Sequence, residues 1–245
     1  MTTPQPRSRS PRVTRRAVLL GGGAVAAGTA GAGAARALAG SSPVSSPVPD
    51  ATLVPPTEDL MREHGVLKRV LLAYRELIRR FQAGEPLPAQ PMHDAALIIH
   101  DYIEGFHEGL EEGYVFPRLR QAGQLTGTVT TLLVQHARGR ELTQRILSGA
   151  TSRAVAVGGN RARLAGAMTA FVRMYEPHEA REDTVVFPAF RAIVPAAEFA
   201  GLGRHFAELE NQQFGAGAFA EMTGRVAGIE RALGIYDLAQ FTPQV

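Results

Sequence analysis

The sequence contains no cysteine. This absence excludes disulfide bonds, thiolate zinc sites, Cys-ligated iron–sulfur clusters and covalent attachment of a c-type haem. Any metal in this protein must therefore be held by nitrogen and oxygen ligands. The chain also lacks a P-loop, a nucleophile elbow and a G-x-G-x-x-G motif between a strand and a helix, so the sequence gives no support to nucleotide or hydrolase chemistry.

Acidic residues are missing from positions 1–39, and this local imbalance explains the high sequence pI of about 9.7. The rest of the chain has 20 basic residues against 23 acidic ones and is slightly acidic. That balance argues against a nucleic-acid partner. The basic residues of the N-terminal segment are Arg7, Arg9, Arg12, Arg15, Arg16 and Arg36.

Residues 1–39 have the pattern of a secretory signal peptide. A basic leader precedes an apolar stretch rich in Gly and Ala at residues 17–34, and Ala37-Leu38-Ala39 is a small-x-small cleavage site. The pair Arg15-Arg16 just before the apolar stretch resembles a twin-arginine export signal. We therefore predict a protein that is exported to the periplasm, the cell wall or the extracellular space.

Export by this route has two further implications. Twin-arginine routes carry folded proteins, so the resemblance implies that any cofactor is inserted before export. The apolar stretch has 18 residues diluted by Gly and Ala, whereas a spanning helix needs about 20 strongly apolar ones. We expect no stable membrane insertion after cleavage, although an uncleaved segment would act as a tether. Residues 40–56, rich in Ser, Pro and Val, are predicted to be a flexible linker.

The central part of the chain contains an internal repeat. The segment from His107 to Pro117 aligns without gaps on the segment from His178 to Pro188, 71 positions later. A second pair of histidines, His64 and His136, keeps an offset of 72 positions. The core is therefore predicted to consist of two similar halves.

Helical periodicity places the repeated histidines and glutamates on the same stripe as apolar residues. This pattern, with turns at the Gly and Pro positions, predicts an all-α, up-down four-helix bundle at residues 57–190 and further helices in a C-terminal extension at residues 191–245. The stripe of the fourth helix is Leu164, Met168, Phe171, Tyr175, His178, Glu182 and Val185. The four predicted helices span residues 57–83, 91–120, 126–155 and 160–190.

In such a bundle the four repeated histidines lie at one height, because helices rise about 1.5 Å per residue. His and Glu four residues apart share one helix face, and a buried carboxylate is costly unless it is paired or bound to a metal. Imidazole and carboxylate ligands together suit Fe, Mn or Zn. We therefore predict a metal site in the bundle core.

The two H-E-x-x-E-[ED]-x-x-V-F-P blocks resemble the hemerythrin-like, or HHE cation-binding, domain family over roughly residues 57–188. The resemblance implies two non-haem irons, with two bridging glutamates. Six side chains for two metals leave coordination positions open. The ligands that the resemblance implies are His64, His107, Glu111, His136, His178 and Glu182.

The sequence differs from the pattern of the oxygen-carrying hemerythrins at one ligand position, and at a second position two acidic residues are candidates. Those carriers have H-x-x-x-H on the third helix, but the residue four beyond His136 is Arg140. The missing histidine argues against simple reversible oxygen carriage. Asp183 stands where the carriers place an acidic ligand, but Glu182 stays on the helix face and matches the first repeat. Glu108 and Glu179 are interpreted as surface groups or as neighbours of the ligands.

A ferritin-like di-iron bundle is the competing interpretation, since Glu104 and His107 form one E-x-x-H motif. The equivalent position before His178 is Tyr175, so the second motif is absent. Tyr114 and Tyr175 lie on the site-facing stripes, where core packing is the expected role. The remaining histidines, His93, His100 and His205, are predicted to be structural or surface residues.

The function that the resemblance implies is binding of O2, or of a related small ligand such as nitric oxide or peroxide, for sensing, storage or detoxification. A binding protein is favoured over an enzyme. The alternatives are a di-iron peroxidase or oxidase, suggested by the missing histidine, and an iron store or metal-binding scaffold.

Overall fold

The computed structural model describes residues 54–244, and all of their regular secondary structure is helical. This confirms the all-α prediction. The predicted signal peptide at residues 1–39 and nearly all of the predicted linker lie outside the described residues. The main helices are α1 (Pro56–Gln82), α2 (residues 89–121), α3 (Thr126–Gly149), α4 (residues 158–193), α5 (Ala196–Phe214) and α6 (Ala218–Leu233).

Helix α1 shows why these segments are helical. Proline at its first position has a backbone geometry suited to a helix start, and Glu58 and Asp59 in the first turn favour the positive end of the helix dipole. The apolar residues of its inward face recur at helical spacing and are at most 1% exposed, so the helix is stabilised mainly by this buried face. These residues include Leu60, Leu67, Leu71, Tyr74 and Leu77.

Helices α2 and α4 are continuous but contain wider, π-helical stretches, which the sequence patterns did not predict. In α2 these stretches are Ile99–His107 and Glu111–Val115, and in α4 the stretch is Glu182–Val186. The last two each precede a Phe-Pro pair of the repeat, at Pro117 and Pro188. Proline has no N–H to donate to the preceding turn, and π-helical turns often occur at functional sites.

The third helix was predicted to reach residue 155, and this was wrong. Helix α3 ends at Gly149, which packs closely against Leu164, and the side chain of Thr151 then accepts a hydrogen bond from the backbone of Ala154 to begin a separate turn. That turn spans Ser152–Val155. The capping residue was the signal that the prediction overlooked. The other three helices agree with the predicted boundaries within three residues.

The C-terminal helices belong to the same core as the bundle. Helices α5 and α6 both contact α1, and their inward apolar residues are buried. Arg69 on α1 donates two hydrogen bonds to Glu230 on α6, of 2.9 and 2.5 Å. No helix among residues 54–244 is long and apolar enough to span a membrane. The buried residues of the extension include Leu202, Phe206, Met222, Val226 and Leu233.

Gly139 on α3 offers a test of the packing beside the bundle core. A methyl group at this position would lie 2.1 Å from the Oη atom of Tyr175. Replacing glycine by alanine inside a helix normally stabilises it by up to about 1 kcal/mol. We expect Gly139→Ala instead to destabilise the protein by about 1–3 kcal/mol, because the tyrosine must move.

The measurement is urea unfolding of Gly139→Ala beside a matched control, Gly166→Ala. Gly166 is exposed on α4, and a methyl group there would meet nothing within 4 Å. The control should be neutral or slightly stabilised. Equal stabilisation of both variants would contradict the close packing at Tyr175.

Candidate metal centre

The structure brings all six predicted ligand residues together in the middle of the bundle. Helix α1 contributes one histidine, α3 contributes one, and α2 and α4 each contribute a histidine and a glutamate one turn later. None of the six is more than 3% exposed. They are His64, His107, Glu111, His136, His178 and Glu182.

These residues form two adjacent groups, each with four candidate ligand atoms within 4.8 Å of one another. Both groups contain Glu111 and Glu182. The group that also contains His64 and His107, from α1 and α2, is called position A. The group that also contains His136 and His178, from α3 and α4, is called position B. The geometry is that of two metal positions side by side, with two shared carboxylates.

Each shared glutamate lies between one histidine of position A and one of position B. The Oε2 atom of Glu182 lies 3.4 Å from Nε2 of His64 and 3.1 Å from Nε2 of His178. Glu111 directs its two oxygens to different sides: Oε1 lies 3.7 Å from Nε2 of His107, and Oε2 lies 3.5 Å from Nε2 of His136. Such an arrangement suits carboxylates that bridge two metals.

The buried atoms that face this centre lack protein hydrogen-bond partners. Both carboxylate oxygens of Glu111 and of Glu182, and the Nε2 atoms of His64 and His107, are buried without a partner. Leaving one buried polar group unsatisfied costs about 1–3 kcal/mol, so six such atoms in one place need an explanation. Nitrogen and carboxylate oxygen donors converging on two points fit a pair of Fe, Mn or Zn ions.

The outward-facing Nδ1 atoms of the position A histidines are held by acidic residues. Nδ1 of His107 lies 2.7 Å from Oε2 of Glu63, and Nδ1 of His64 lies 2.7 Å from Oδ1 of Asp183. Although burial opposes it, the hydrogen bond with Asp183 and the nearby charge of Glu182 raise the pKa of His64 to about 9. Asp183 therefore contacts the outer side of a histidine, while Glu182 occupies the centre.

The position B histidines have the corresponding partners. Nδ1 of His136 lies 2.9 Å from Oε1 of Glu112, and Nδ1 of His178 lies 2.9 Å from Oε1 of Gln135. The hydrogen bond with His136 helps to lower the pKa of Glu112 to about 2. Partners of this kind fix the ring orientation, and the two Nε2 atoms both face the centre, 3.3 Å apart.

Glu108 and Glu179 are buried, so of the two predicted roles the surface position is excluded, and Glu108 lies beside a ligand residue, 3.9 Å from Nδ1 of His136. Glu108 bonds to Arg140 at 2.7 Å and accepts a 2.6 Å hydrogen bond from the Tyr175 hydroxyl, while Glu179 pairs with Lys68. Burial raises the pKa of Glu108 to about 8. Arg140 thus pairs with both Glu108 and Glu112, the two acidic residues that lie beside His136.

The remaining residues from the sequence analysis lie away from the centre. His93 and His100 are partly exposed, and Glu104 accepts a 2.6 Å hydrogen bond from Thr143 rather than joining the metal cluster, which removes the basis of the ferritin-like interpretation. Tyr114 is partly buried, and its hydroxyl lies 2.8 Å from Nε2 of His205. These residues have structural contacts in this fold.

In the metal-free centre, the pKa values of neighbouring candidate ligands are shifted in opposite directions. Burial lowers the pKa of His107, while burial and the charge of Glu182 raise the pKa of Glu111. Burial also opposes ionisation of Glu182, but the neighbouring His178 and His64 lower its pKa overall. The metal-free site must therefore distribute protons among its ligands. Metal binding would replace those protons.

Sequence reasoning missed the residues that orient the histidines. Glu63 and Gln135 each stand immediately before a predicted ligand, and Glu112 stands immediately after one. Glu63 and Gln135 are equivalent in the repeat, as are Glu112 and Asp183, and that equivalence was the available signal. Asp183 was noticed, but as a competing ligand rather than as the partner of His64.

The fold and the site define a class of protein: a four-helix bundle whose core can hold a pair of metal ions. The hemerythrin HHE cation binding domain matches residues 56–160. Uncharacterized proteins of Mycobacterium bovis and of two strains of Mycobacterium tuberculosis are each 53% identical to this chain over 186 residues, which cover 76% of this chain and 73% of each relative. No solved structure matches the chain. Residues 56–160 therefore form a domain of the hemerythrin HHE type, and the chain belongs to one family with these mycobacterial proteins.

Removing Glu111 should separate metal binding from stability. Its two oxygens are buried without partners, so a metal-free Glu111→Leu protein should be as stable as wild type or about 1–3 kcal/mol more stable. Mn²⁺ should raise the unfolding temperature of wild type, because it binds only the folded state, but not that of the variant. Glu141→Gln, at an exposed glutamate, serves as the control and should keep the Mn²⁺ response.

The measurement is thermal unfolding with a chelator and with Mn²⁺. A Glu111→Leu protein that is strongly destabilised without metal, or that is still stabilised by Mn²⁺ as much as wild type, would contradict the assignment of Glu111 to the metal centre.

Proposed function

We propose that this chain is a non-haem di-iron protein that binds O2, or a related small oxidant or diatomic ligand such as peroxide or nitric oxide. The observation that carries the proposal is the pair of buried glutamates, Glu111 and Glu182, whose four oxygens have no hydrogen-bond partner and lie between two pairs of histidines. No simpler structural role accounts for two such side chains in a bundle core.

The donor set supports iron with open coordination positions. Two histidines and two shared glutamates supply about four protein donors to each metal, whereas Fe(II) in comparable nitrogen and carboxylate sites takes up to six ligands. When bound, such iron supplies a place for O2 or another small ligand to coordinate and be reduced. The chain's own residues hold the metals, orient the imidazoles and limit the access of water.

Two phenylalanines of the repeat support the protected character of the site. Phe187 stacks on the ring of His64 with centroids 5.5 Å apart, and Phe116 stacks on the ring of His136 with centroids 5.6 Å apart. Both phenylalanines are at most 1% exposed. An apolar wall on each side favours small neutral ligands over larger polar ones and slows the loss of bound metal to water.

A di-iron peroxidase or oxidase is the second candidate, and Arg140 is the observation that favours it. This residue stands where oxygen-carrying relatives have a further histidine, and it binds Glu108 and Glu112 instead. Position B is thereby left with fewer nitrogen ligands. A partly exposed arginine linked to the buried Glu108 and Tyr175 also connects the centre to the surface through hydrogen bonds.

We further propose that the protein acts outside the cytoplasm. This proposal depends on residues 1–39, whose paired arginines, apolar stretch and small-x-small site are typical of a twin-arginine signal. A folded, metal-loaded bundle is the type of cargo that such a route carries. The physiological purpose would be sensing, storage or detoxification of the small ligand.

The test is the absorption spectrum of the anaerobically Fe(II)-loaded full chain when O2 is admitted and then removed. We expect a charge-transfer band that disappears on removal of O2, as for a binding protein. A band that persists, with turnover of peroxide, would favour the enzyme. The control His93→Ala alters a partly exposed histidine outside the cluster and should behave as wild type, whereas the double variant His107→Ala, His178→Ala should show no band. Absence of any band in wild type would contradict the proposal.

A further inference from the structure

The two halves of the metal centre are related by the internal repeat in their surroundings as well as in their ligands. Position A and position B have equivalent histidines, and one pair of outer partners is equivalent in kind: the bond from His64 to Asp183 corresponds to the bond from His136 to Glu112. Any difference in metal affinity between the halves must therefore come from positions where the repeat is broken.

The first difference between the halves is the outer partner of the second histidine, which is His107 in position A and His178 in position B. In position A, His107 bonds to the carboxylate of Glu63 at 2.7 Å. In position B, His178 bonds to the side-chain amide of Gln135 at 2.9 Å. Glu63 is 1% exposed, and its other oxygen has no hydrogen-bond partner. The two residues occupy the same place in the repeat, but one is a carboxyl group and the other is a neutral amide.

The second difference concerns the basic residue four positions after the first histidine of each half, which is Lys68 after His64 and Arg140 after His136. Lys68 on α1 pairs with Glu179 and makes no ion pair with Asp183. Arg140 on α3 pairs with Glu108, the equivalent of Glu179, but also donates a 2.7 Å hydrogen bond to Glu112.

The oxygen of Glu112 that Arg140 contacts is Oε1, the same atom that bonds His136. Part of the electron density that would increase the basicity of His136 is therefore directed to the guanidinium. Asp183, the corresponding partner of His64, forms no ion pair with a lysine or arginine among residues 54–244.

Both differences favour stronger metal binding at position A. The histidines of position A are held by two acidic side chains, neither paired with a lysine or arginine among the described residues, whereas those of position B are held by one acid shared with Arg140 and by one neutral amide. A carboxylate bonded to the outer nitrogen of a histidine makes the inner nitrogen a stronger ligand than an amide does.

We propose that the two positions are unequal, and that position A fills first and holds its metal more tightly than position B. The proposal rests on the function proposed above and specifies the order in which that centre is loaded. Loss of an outer partner of a metal-bound histidine typically changes metal affinity by about 10–100-fold. We expect the stepwise affinities of the two positions to differ by a factor of that order.

The test uses Co²⁺ alone as the probe, because it gives visible absorption bands and anomalous X-ray scattering. One equivalent of Co²⁺ is added to crystals of the metal-free full chain, and the anomalous signal locates it. We expect the signal between His64 and His107. An equal division between the positions, or preference for the side of His136 and His178, would overturn the proposal.

Two single variants test the cause in solution by stepwise Co²⁺ titration. Glu63→Gln keeps the shape and a hydrogen-bonding group but replaces the carboxyl group by an amide, so it should weaken the first binding step by about 10-fold or more. Gln135→Glu should strengthen the second step, and both variants should narrow the difference between the steps. Unfolding of the metal-free variants checks that their folds are intact, and a structural role alone would leave the ratio of the two steps unchanged.

The results distinguish this inference from the proposed function. Two bound Co²⁺ ions with equal affinities would overturn the inequality while preserving the di-metal centre. A wild-type chain that binds no metal would contradict the proposed function, and the inequality with it. An unchanged ratio of the two steps in both variants would show that Glu63 and Gln135 do not control the order of loading.

Discussion

The burial of two carboxylates between four imidazoles is the constraint on which the rest of this structure depends. Glu111 and Glu182 are fully buried, and neither has a hydrogen-bond partner for its oxygens. In a metal-free core this arrangement costs free energy, because the charged forms lose their hydration and gain little in return. Two divalent cations would satisfy the same atoms at once. We therefore interpret the centre as a metal site. Without metal, the apolar packing of the surrounding helices offsets the cost of burying these carboxylates.

The internal repeat meets this constraint by supplying each feature twice. Each half contributes one helix with a histidine and one helix with a histidine and a glutamate, followed by a π-helical stretch and a Phe-Pro pair. The phenylalanine of each pair covers a histidine, and the residue beside each glutamate holds the outer nitrogen of a histidine. One segment of sequence thus provides a ligand, an orienting partner and an apolar wall. Differences between the copies, such as Glu63 against Gln135, are where the two halves can acquire different properties.

Much of this arrangement was predictable from the sequence, and the failures have physical causes. Periodicity and the repeat predicted the helices and brought the six cluster residues to one level, because a helix fixes the direction of every side chain along its face. The end of α3 was missed because a capping threonine outweighed the expected glycine turn. The π-helical stretches and the ion pairs that hold Glu108 and Glu179 were not predicted, because they depend on contacts between helices, which a single-helix pattern does not contain.

The measurement that tests the central claim most directly is the metal content of the full-length chain purified anaerobically after expression with iron, compared with a chain carrying both Glu111→Gln and Glu182→Gln. These substitutions keep the size of the side chains but remove the charges that would bridge two metals. We expect two iron ions per chain in the wild type and a markedly lower iron content in the variant. A wild-type chain that contains no metal, or a variant that retains both ions, would contradict it.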